Sequence, residues 1–393
     1  MSKEKIILAF SGGLDTTFCV LYLQEKGYDV VTVTIDTGGF SEEELKSIET
    51  KSKKLGSVNH YTSKVEDQIY NQVIKYVIKF NGLYEGDYPL MCADRYIIAQ
   101  EVLDVAKKEG TNIVAHGSTA IGNDQVRFDS SFMTLNKDVK VLSPIKELGI
   151  TRDEEIKFLE DKGFVVDKSV KKYSINENVF GTTFSGSEID EDKEPDEDAY
   201  KLTKKEKGID NSYEYITVEF KEGVPIKLNN ENMEGVKILK DLNKIVGKYG
   251  YGSKIYTGDC IIGIKGHLMF EAPGLLTLME AHKKLEQYVL TKKQISFNNK
   301  ASEEWSDLVY SGLYYEPLAR DLEKYCDSVQ KKVNGVVKIK LECNKINVVE
   351  IISEDSMVKD EIATYAQKGS WNAKEANGFI KMHSMQQKIA NLR

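Results

Sequence analysis

Near its N-terminus the chain reads Ala9-Phe10-Ser11-Gly12-Gly13-Leu14-Asp15-Thr16-Thr17, between a strand-like run and a helix-like run. Two adjacent glycines let the backbone turn tightly and bring its N–H groups against an anion. Ser11, Thr16 and Thr17 add hydroxyl donors at a helix N-terminus, where the macrodipole also favours negative charge. The arrangement suits a pyrophosphate. It is not a Walker A loop, because no GxxxxGK[ST] occurs in the chain. The bland alternative is a tight β–α turn whose helix is capped by Asp15 or Thr16. A bare Gly-Gly turn would be read that way. The full SGGLDT string directly after the first strand favours the phosphate site.

A second polar string, His116-Gly117-Ser118-Thr119-Ala120-Ile121-Gly122-Asn123-Asp124-Gln125-Val126-Arg127-Phe128, follows an apolar strand signal. Gly117 allows close approach of a nucleotide. Asn123 and Arg127 are four residues apart and share a helix face. Arg127 can grip a carboxylate bidentately, and Asp124 can hold an ammonium group or take its proton. The alternative is a loop with an N-cap at Asn123 and a surface ion pair. Two further strings, Tyr84-Glu85-Gly86-Asp87-Tyr88-Pro89-Leu90 (followed by Arg95) and Tyr173-Ser174-Ile175-Asn176-Glu177-Asn178, read as loops when taken alone.

These residues need a frame to hold them. Lys5–Phe10 and Asp29–Ile35 read as buried strands, and Asn112–Ala115 as a short one. Thr16–Lys26, Glu42–Leu55, Val65–Phe80 and Arg95–Glu109 read as helices, three of them stopped by Gly27, Gly56 and Gly110. Strands apolar on both faces, alternating with helices, indicate a doubly wound parallel sheet. Ligands then bind beyond the carboxyl ends of the strands. Those ends are Ser11-Gly12-Gly13, Asp36-Thr37-Gly38-Gly39 and His116-Gly117-Ser118-Thr119, which should converge on one crevice. From Tyr213 onward the pattern changes to short β-rich stretches (Tyr215–Phe220, Ile261–Ile264, Val336–Leu341, Lys345–Ile352) separated by helices, as in an α+β domain. Asn372–Arg393 is helical, with Ala376, Phe379, Ile380 and His383 on one face. It either docks on its own domain or reaches a neighbouring subunit.

The chain has 393 residues, 41% hydrophobic and 30% charged, which suits two or three globular domains. No run approaches the roughly 18 apolar residues of a membrane span. The N-terminus enters a strand with no basic region or cleavage site, so no secretory leader is expected. The net charge is −8, of which Glu188–Asp198 alone carries −7. That segment reads as an exposed acidic linker, and the balance implies neither nucleic acid nor membrane as a partner. Five cysteines without CxxC spacing and five scattered histidines without HExxH argue for a reduced, cytoplasmic protein with no structural metal.

Taken together and in order, the four strings resemble the argininosuccinate synthase family of the PP-loop ATP pyrophosphatases. SGGLDT, YEGxYPL, HGxTxxGNDQVRF and YSIxEN match that family's signatures, and the resemblance continues to Gly378-Phe379-Ile380-Lys381. It implies an α/β PP-loop domain over 1–168, a synthetase and multimerisation domain over 169–365, and an oligomerisation helix over 366–393. It implies a cytoplasmic homotetramer that joins citrulline and aspartate through citrullyl-AMP. Mg²⁺ accompanies ATP, and no cofactor is permanently bound. ATP would lie on Ala9, Phe10, Ser11, Gly12, Gly13, Leu14, Asp15, Thr16 and Thr17, on Ile35 and on Gly117. Aspartate would be held by Thr119, Asn123 and Asp124. Citrulline would be held by Tyr84, Asn123, Arg127, Ser174 and Thr183. Asp15, Asp124 and Arg127 would carry the chemistry.

The chain also departs from the family. Met91-Cys92-Ala93-Asp94-Arg95 stands where a hydroxyl residue is usual, one residue shorter. Gly258 and Phe270 stand where the common form has a Glu and a Tyr against citrulline. Whether Cys92 replaces the hydroxyl and Asp259 the carboxylate is left open by the sequence. The rival readings are another AMP-forming PP-loop enzyme with a different amide or ureido acceptor, and a nucleotide binder without catalysis. The first lacks the paired cysteines or glutaminase nucleophile that such enzymes use. The second has no use for the polar strings at 119–127 and 173–178.

Overall fold

The computed structural model describes residues 3–165, 173–191 and 193–392. The expected boundary between 168 and 169 lies outside the described residues. The chain opens with β1 (Lys5–Ala9), α1 (Leu14–Glu25), β2 (Asp29–Asp36), α2 (Glu42–Lys54) and β3 (Asn59–Lys64). A helical stretch follows as α3 (Glu66–Ile69), a π-helical turn over Tyr70–Ile74 and α4 (Lys75–Phe80). Then come α5 (Asp94–Glu109), β4 (Ile113–Ala115), α6 (Asp124–Leu135), β5 (Lys140–Leu142), α7 (Pro144–Leu148) and α8 (Arg152–Asp161).

The five strands form one sheet in the order β3-β2-β1-β4-β5, every pair parallel. Successive residues of a strand point to opposite faces. Thus Ile7, Val31 and Val33 enter one apolar layer, while Ile6, Leu8 and Val30 enter the other with Phe18, Val20 and Leu23 of α1. This is the doubly wound sheet that the two-faced apolar strands imply. Its order reverses at β1, so the crevice opens between the ends of β1 and β4.

The second part holds β6 (Ser174–Asn178), β7 (Gly181–Ser185), β8 (Glu214–Lys221), β9 (Val224–Leu228), β10 (Glu231–Asn232), α9 (Gly235–Gly247), β11 (Ser253–Asp259) and β12 (Lys265–Glu271). Helices α10 (Pro273–Val289), α11 (Lys292–Tyr310) and α12 (Pro317–Gln330) precede β13 (Gly335–Glu342) and β14 (Lys345–Ile352). A small hairpin, β15 (Ala363–Thr364) with β16 (Lys368–Gly369), leads to α13 (Ala373–His383) and α14 (Met385–Ala390). Two antiparallel sheets result, β10-β9-β8-β13-β14 and β11-β12-β7-β6. The two parts share one apolar core that runs from Val31 and Ile97 to Leu242, Leu278 and Trp305. Phe80 stacks on Trp305 with centroids 5.2 Å apart.

Four local expectations need correction, and one open alternative is decided. Ser174–Asn178, which reads as a loop, is strand β6. Ile261–Ile264 is the turn between β11 and β12, not a strand: Gly263 has φ +84°, and Ile262 and Ile264 are exposed. The Val65–Phe80 helix is interrupted by its π turn, where the Tyr70 ring lies so close to Gly235 that a Cβ there would sit 1.9 Å from it. The acidic segment is not a free linker. Its Ile189 is fully buried and, with Ala199, fills a small core against Tyr173, Phe184 and Met269, while most of its charges stay exposed. Finally, the terminal helices α13 and α14 bury no residue, so they do not dock on their own domain. Among the described residues, no helix is long and apolar enough to cross a membrane.

Candidate active site

The loop between β1 and α1 is built from the inside. The Phe10 amide donates to the Val33 carbonyl at 2.8 Å, and the Thr34 hydroxyl donates to the Phe10 carbonyl at 2.7 Å. Gly12 then takes φ +74°, a conformation that favours glycine. The N-cap of α1 is Gly13, and no side chain caps it. The capping alternative for Asp15 or Thr16 is therefore not what the loop does. Instead the Thr17 hydroxyl donates back to the Gly13 carbonyl at 2.6 Å, and the Gly13 amide donates to Ser11 Oγ at 3.3 Å. Gly117, at the end of β4, comes against this loop: a Cβ there would lie 3.2 Å from Thr16 Cγ2 and 3.4 Å from Asp15 Cβ. The ends of β1 and β4 thus meet, as expected. The end of β2 meets the second part of the chain instead. The Val179 amide donates to the Thr37 carbonyl at 2.7 Å, and a Cβ on Gly39 would lie 2.2 Å from the Glu177 carbonyl oxygen. Ile35 is buried in the sheet.

Asp15 faces α8. Burial raises its carboxyl's pKa, although Arg152 and Glu155 act against the rise. Burial next to Asp15 pushes Glu155 up to about 8. The negative charge of Asp15 thus favours the protonated form of the neighbouring Glu155 carboxyl. On the other side of the crevice His116 fixes the β4 end. Its Nδ1 accepts from the Ser118 amide at 3.1 Å, so its Nε2–H donates to Asp129 at 2.8 Å. Lys146 also pairs with Asp129.

The densest polar cluster lies at the start of α6. Arg127 is 2% exposed. Its Nε donates to the Tyr310 carbonyl at 3.0 Å and its Nη1 to Asp124 Oδ1 at 3.1 Å. Its Nη2 is buried, with no hydrogen-bond partner among the described residues. Asp124 also receives Arg95 Nε at 2.9 Å, and Arg95 Nη1 reaches both oxygens of Asp94 at 2.8 and 2.7 Å. Burial acts to raise the pKa of Asp124, but Arg95 and Arg127 outweigh it and hold the carboxyl below its usual range. Cys92 sits in the same field, and burial pushes its thiol up despite Arg127. Burial thus favours its neutral thiol form.

Asn123 joins this cluster through Tyr310. Its Nδ2 donates to the Tyr310 hydroxyl at 3.2 Å, and its Oδ1 accepts the Ile261 amide at 3.0 Å. Tyr84 stacks on Tyr310 with centroids 3.6 Å apart and planes 8° apart, and its hydroxyl donates to the Asp259 carbonyl at 3.2 Å. Burial and then Glu85 push Tyr84 up to about 12. Thr183 lies on β7, opposite Asn176 on one side and Phe270 on the other. Ser174, at the start of β6, is exposed, as is Thr119. Among the described residues, neither makes a side-chain hydrogen bond to the Arg127 cluster.

Several residues that sequence reasoning did not assign complete the site. Asn178 Nδ2 donates to Asp94 Oδ2 and to the Met91 carbonyl, both at 2.9 Å. It thereby ties β6 to the Asp94–Arg95–Asp124–Arg127 chain. Asn178 closes the YSIxEN string, and that was its only signal. Glu85 reaches across to the second part, accepting the Tyr256 hydroxyl at 2.6 Å and the Asp259 amide at 3.1 Å. A Cβ on Gly258 would lie 2.0 Å from Glu85 Oε2. The space beside Gly258 is thus filled by a carboxylate from the first part of the chain. Asp259 instead pairs with Lys265 at 2.5 Å.

A parallel sheet of order 3-2-1-4-5, with an uncapped glycine loop at its switch point and a buried arginine–carboxylate cluster near the same crevice, defines a doubly wound α/β protein. The family descriptions that match are the arginosuccinate synthase N-terminal HUP domain over residues 5–165 and the arginosuccinate synthase C-terminal domain over residues 173–390. The argininosuccinate synthase of Xanthomonas campestris is 42% identical over 389 residues, covering 98% of each chain. That of Methanocaldococcus jannaschii is 40% identical over 390 residues, again covering 98% of each. That of Pyrococcus furiosus is 39% identical, covering 98% of this chain and 94% of the other. The chain belongs to the argininosuccinate synthase family, a family of ligases.

Proposed function

We propose that the chain joins citrulline to aspartate at the expense of ATP, releasing argininosuccinate, AMP and pyrophosphate. The observation that carries this reading is Arg127. A buried guanidinium whose Nη2 is left without a partner among the described residues, with its Asp124 partner shared with Arg95, is a preformed receptor for a substrate carboxylate. It stands in the fold one crevice away from a loop built for phosphates.

In this reading ATP lies along Ala9–Thr17, with Ile35 and Gly117 beside it. Its Mg²⁺ arrives with the nucleotide as part of the substrate. Asp15, paired with Glu155, supports the first turn of α1 under the loop. Citrulline takes Arg127, Asn123, Tyr84, Ser174 and Thr183, its carboxylate on Arg127. Aspartate takes Thr119, Asn123 and Asp124, its ammonium group toward Asp124.

The ureido oxygen of citrulline attacks the α-phosphorus, and the bond from that phosphorus to the β-phosphate oxygen breaks. Pyrophosphate leaves, and citrullyl-AMP remains. The aspartate amine then attacks the activated carbon, loses a proton, and expels AMP. Charge builds on phosphate oxygens in the first step, so fixed N–H and hydroxyl donors supply the stabilisation. No side-chain nucleophile takes part. The exposed apolar residues of the terminal arm, Trp371, Phe379, Ile380 and Met382 among them, support assembly of a homotetramer through that arm. The division into 1–168, 169–365 and 366–393 and a cytoplasmic location belong to the same reading.

The test is AMP and pyrophosphate release with Mg-ATP, adding citrulline and aspartate singly and together. Turnover that needs both, with argininosuccinate formed, is the expected result. ATP binding without turnover on both substrates would transfer the activity to another acceptor.

A further inference from the structure

The phosphate loop contains no lysine or arginine between Ala9 and Thr17, yet its ligand carries several negative charges. A cation reaches the loop from another element. Helix α2 starts at a capping box in which Glu44 and Ser41 satisfy each other's backbone amides, which fixes its direction under the loop. Ile48 of this helix stands against Gly12, with Cγ1 3.0 Å from where a Cβ would be. Three residues on, and so on the same face, Lys51 reaches up and donates from Nζ to the Gly12 carbonyl at 2.6 Å.

That ammonium is unusual in its surroundings. It is half-buried, and among the described residues no carboxylate lies within ion-pair distance of it. The other lysines of α2 differ: Lys53 pairs with Glu49 at 2.5 Å, and the remainder are exposed. Burial accordingly lowers the Lys51 pKa, with no acid to oppose it. A desolvated cation without a counter-ion is costly unless an anion comes to it. Lys51 also borders a depression of about 380 Å³ on α2, lined by Glu43, Lys46 and Lys54 among others.

We propose that Lys51 is a positioning residue for ATP that supplies the phosphate loop with the cation its own sequence lacks. It holds the Gly12 carbonyl turned down onto α2, which leaves the amides of the Gly12-Gly13 turn to face the phosphates. Its charge offsets the β- and γ-phosphates and then the departing pyrophosphate. The inference rests on the reading of the loop as the ATP site. It predicts a selective effect: ligands with a pyrophosphate group depend on Lys51, and AMP does not.

The experiment compares the intact wild-type chain with Lys51→Met and Lys51→Arg. Binding of ATP, pyrophosphate and AMP is measured by titration calorimetry, with melting temperature and citrulline-dependent pyrophosphate release alongside. In Lys51→Met the Kd for ATP and pyrophosphate rises by about tenfold to hundredfold, the loss of a charge-assisted interaction. The AMP affinity and the melting temperature hold, and Lys51→Arg recovers most of the ATP affinity. A parallel loss for AMP, or unchanged ATP binding, overturns the role of Lys51. Failure of the wild-type chain to bind any of the three overturns the loop reading itself. That outcome is distinct, because it precedes any variant.

Discussion

Replacing Arg127 by lysine tests the centre of the site while keeping its charge. The guanidinium makes two hydrogen bonds, to the Tyr310 carbonyl and to Asp124, and lies with its central carbon 4.9 Å from the Tyr310 ring centroid. The third arm, Nη2, is buried and unpaired. An ammonium group cannot serve three fixed directions from one point. If Nη2 and one neighbour grip the citrulline carboxylate, the Arg127→Lys variant loses one charge-assisted bond, about 1.5–3 kcal/mol. That corresponds to roughly tenfold to 150-fold in kcat/KM for citrulline. The Tyr310 carbonyl, or Asp124, also loses a donor, which costs about 1–3 kcal/mol of stability where the group stays buried. Asp124 keeps Arg95, so the aspartate site stays charged as before. The assay is citrulline-dependent pyrophosphate release over a range of citrulline, at saturating ATP, and then over ATP at high citrulline. The expected result is a raised citrulline KM with ATP KM nearly unchanged. A variant whose ATP or aspartate KM shifts while that for citrulline holds would refute the assignment of the Arg127 fork to the citrulline carboxylate.

Three further outcomes follow from the same geometry. Gly12→Val places a β-branched residue at φ +74° and 3.0 Å from Ile48; the left-handed conformation alone costs about 1–2 kcal/mol, and nucleotide binding should be lost, so unchanged ATP affinity by calorimetry would sink the loop assignment. Asp124→Asn removes the charge between Arg95 and Arg127; aspartate-dependent AMP formation should fall further than citrulline-driven pyrophosphate release, and an equal fall in both would show the role to be wrong. Burial raises Glu286 from 4.5 to about 7, even with Gln330 and Asn81 as donors. Its folded-state pKa is above the unfolded one, so the stability it contributes is complete below about 4.5 and lost as pH rises through about 7. Glu286→Gln should therefore flatten the fall in unfolding free energy between pH 5 and about 7.5, as read from urea melts; an unchanged slope would place the pH dependence elsewhere.

The sheet was legible where its strands are buried on both faces. Ile6-Ile7-Leu8 and Val30-Val31 have no exposed side, and a continuous apolar run is the only pattern they can carry. The edge strands were not legible for the opposite reason. β3 reads Asn-His-Tyr-Thr-Ser-Lys, half of it facing solvent, and β5 is three residues long. Ile261–Ile264 misled because isoleucines mark strands, while these sit on a turn forced by Gly263. The candidate site divides in the same way. Ser11–Thr17 form one short string and Asn123, Asp124 and Arg127 another, so spacing within each string makes them candidates. Lys51 hides in a lysine-rich helix, and Tyr310 in a helix 183 residues beyond Arg127. Only packing brings them to the site.

The same limit explains the departure at Gly258. A sequence comparison sees a carboxylate missing at one position. The fold shows a carboxylate entering the same space from Glu85, 174 residues before the Asp259 amide that donates to it. Glu85 takes φ +51° to do so, a conformation that is costly for a residue with a Cβ. The contacts made by that conformation offset its cost: the Tyr256 hydroxyl at 2.6 Å and the Asp259 amide at 3.1 Å, with Lys254 on the neighbouring Asp87 at 2.6 Å. A Cβ at 258 would come within about 2 Å of both Glu85 Oε2 and the Tyr256 hydroxyl, so any side chain there would have to push these two groups aside. Glycine at 258 leaves that space to the Glu85 carboxylate. The loop that carries Tyr84 to Tyr310 is held by these same contacts. The pair thus fixes where the first part of the chain meets the β11–β12 hairpin, and with it the geometry of the crevice between them.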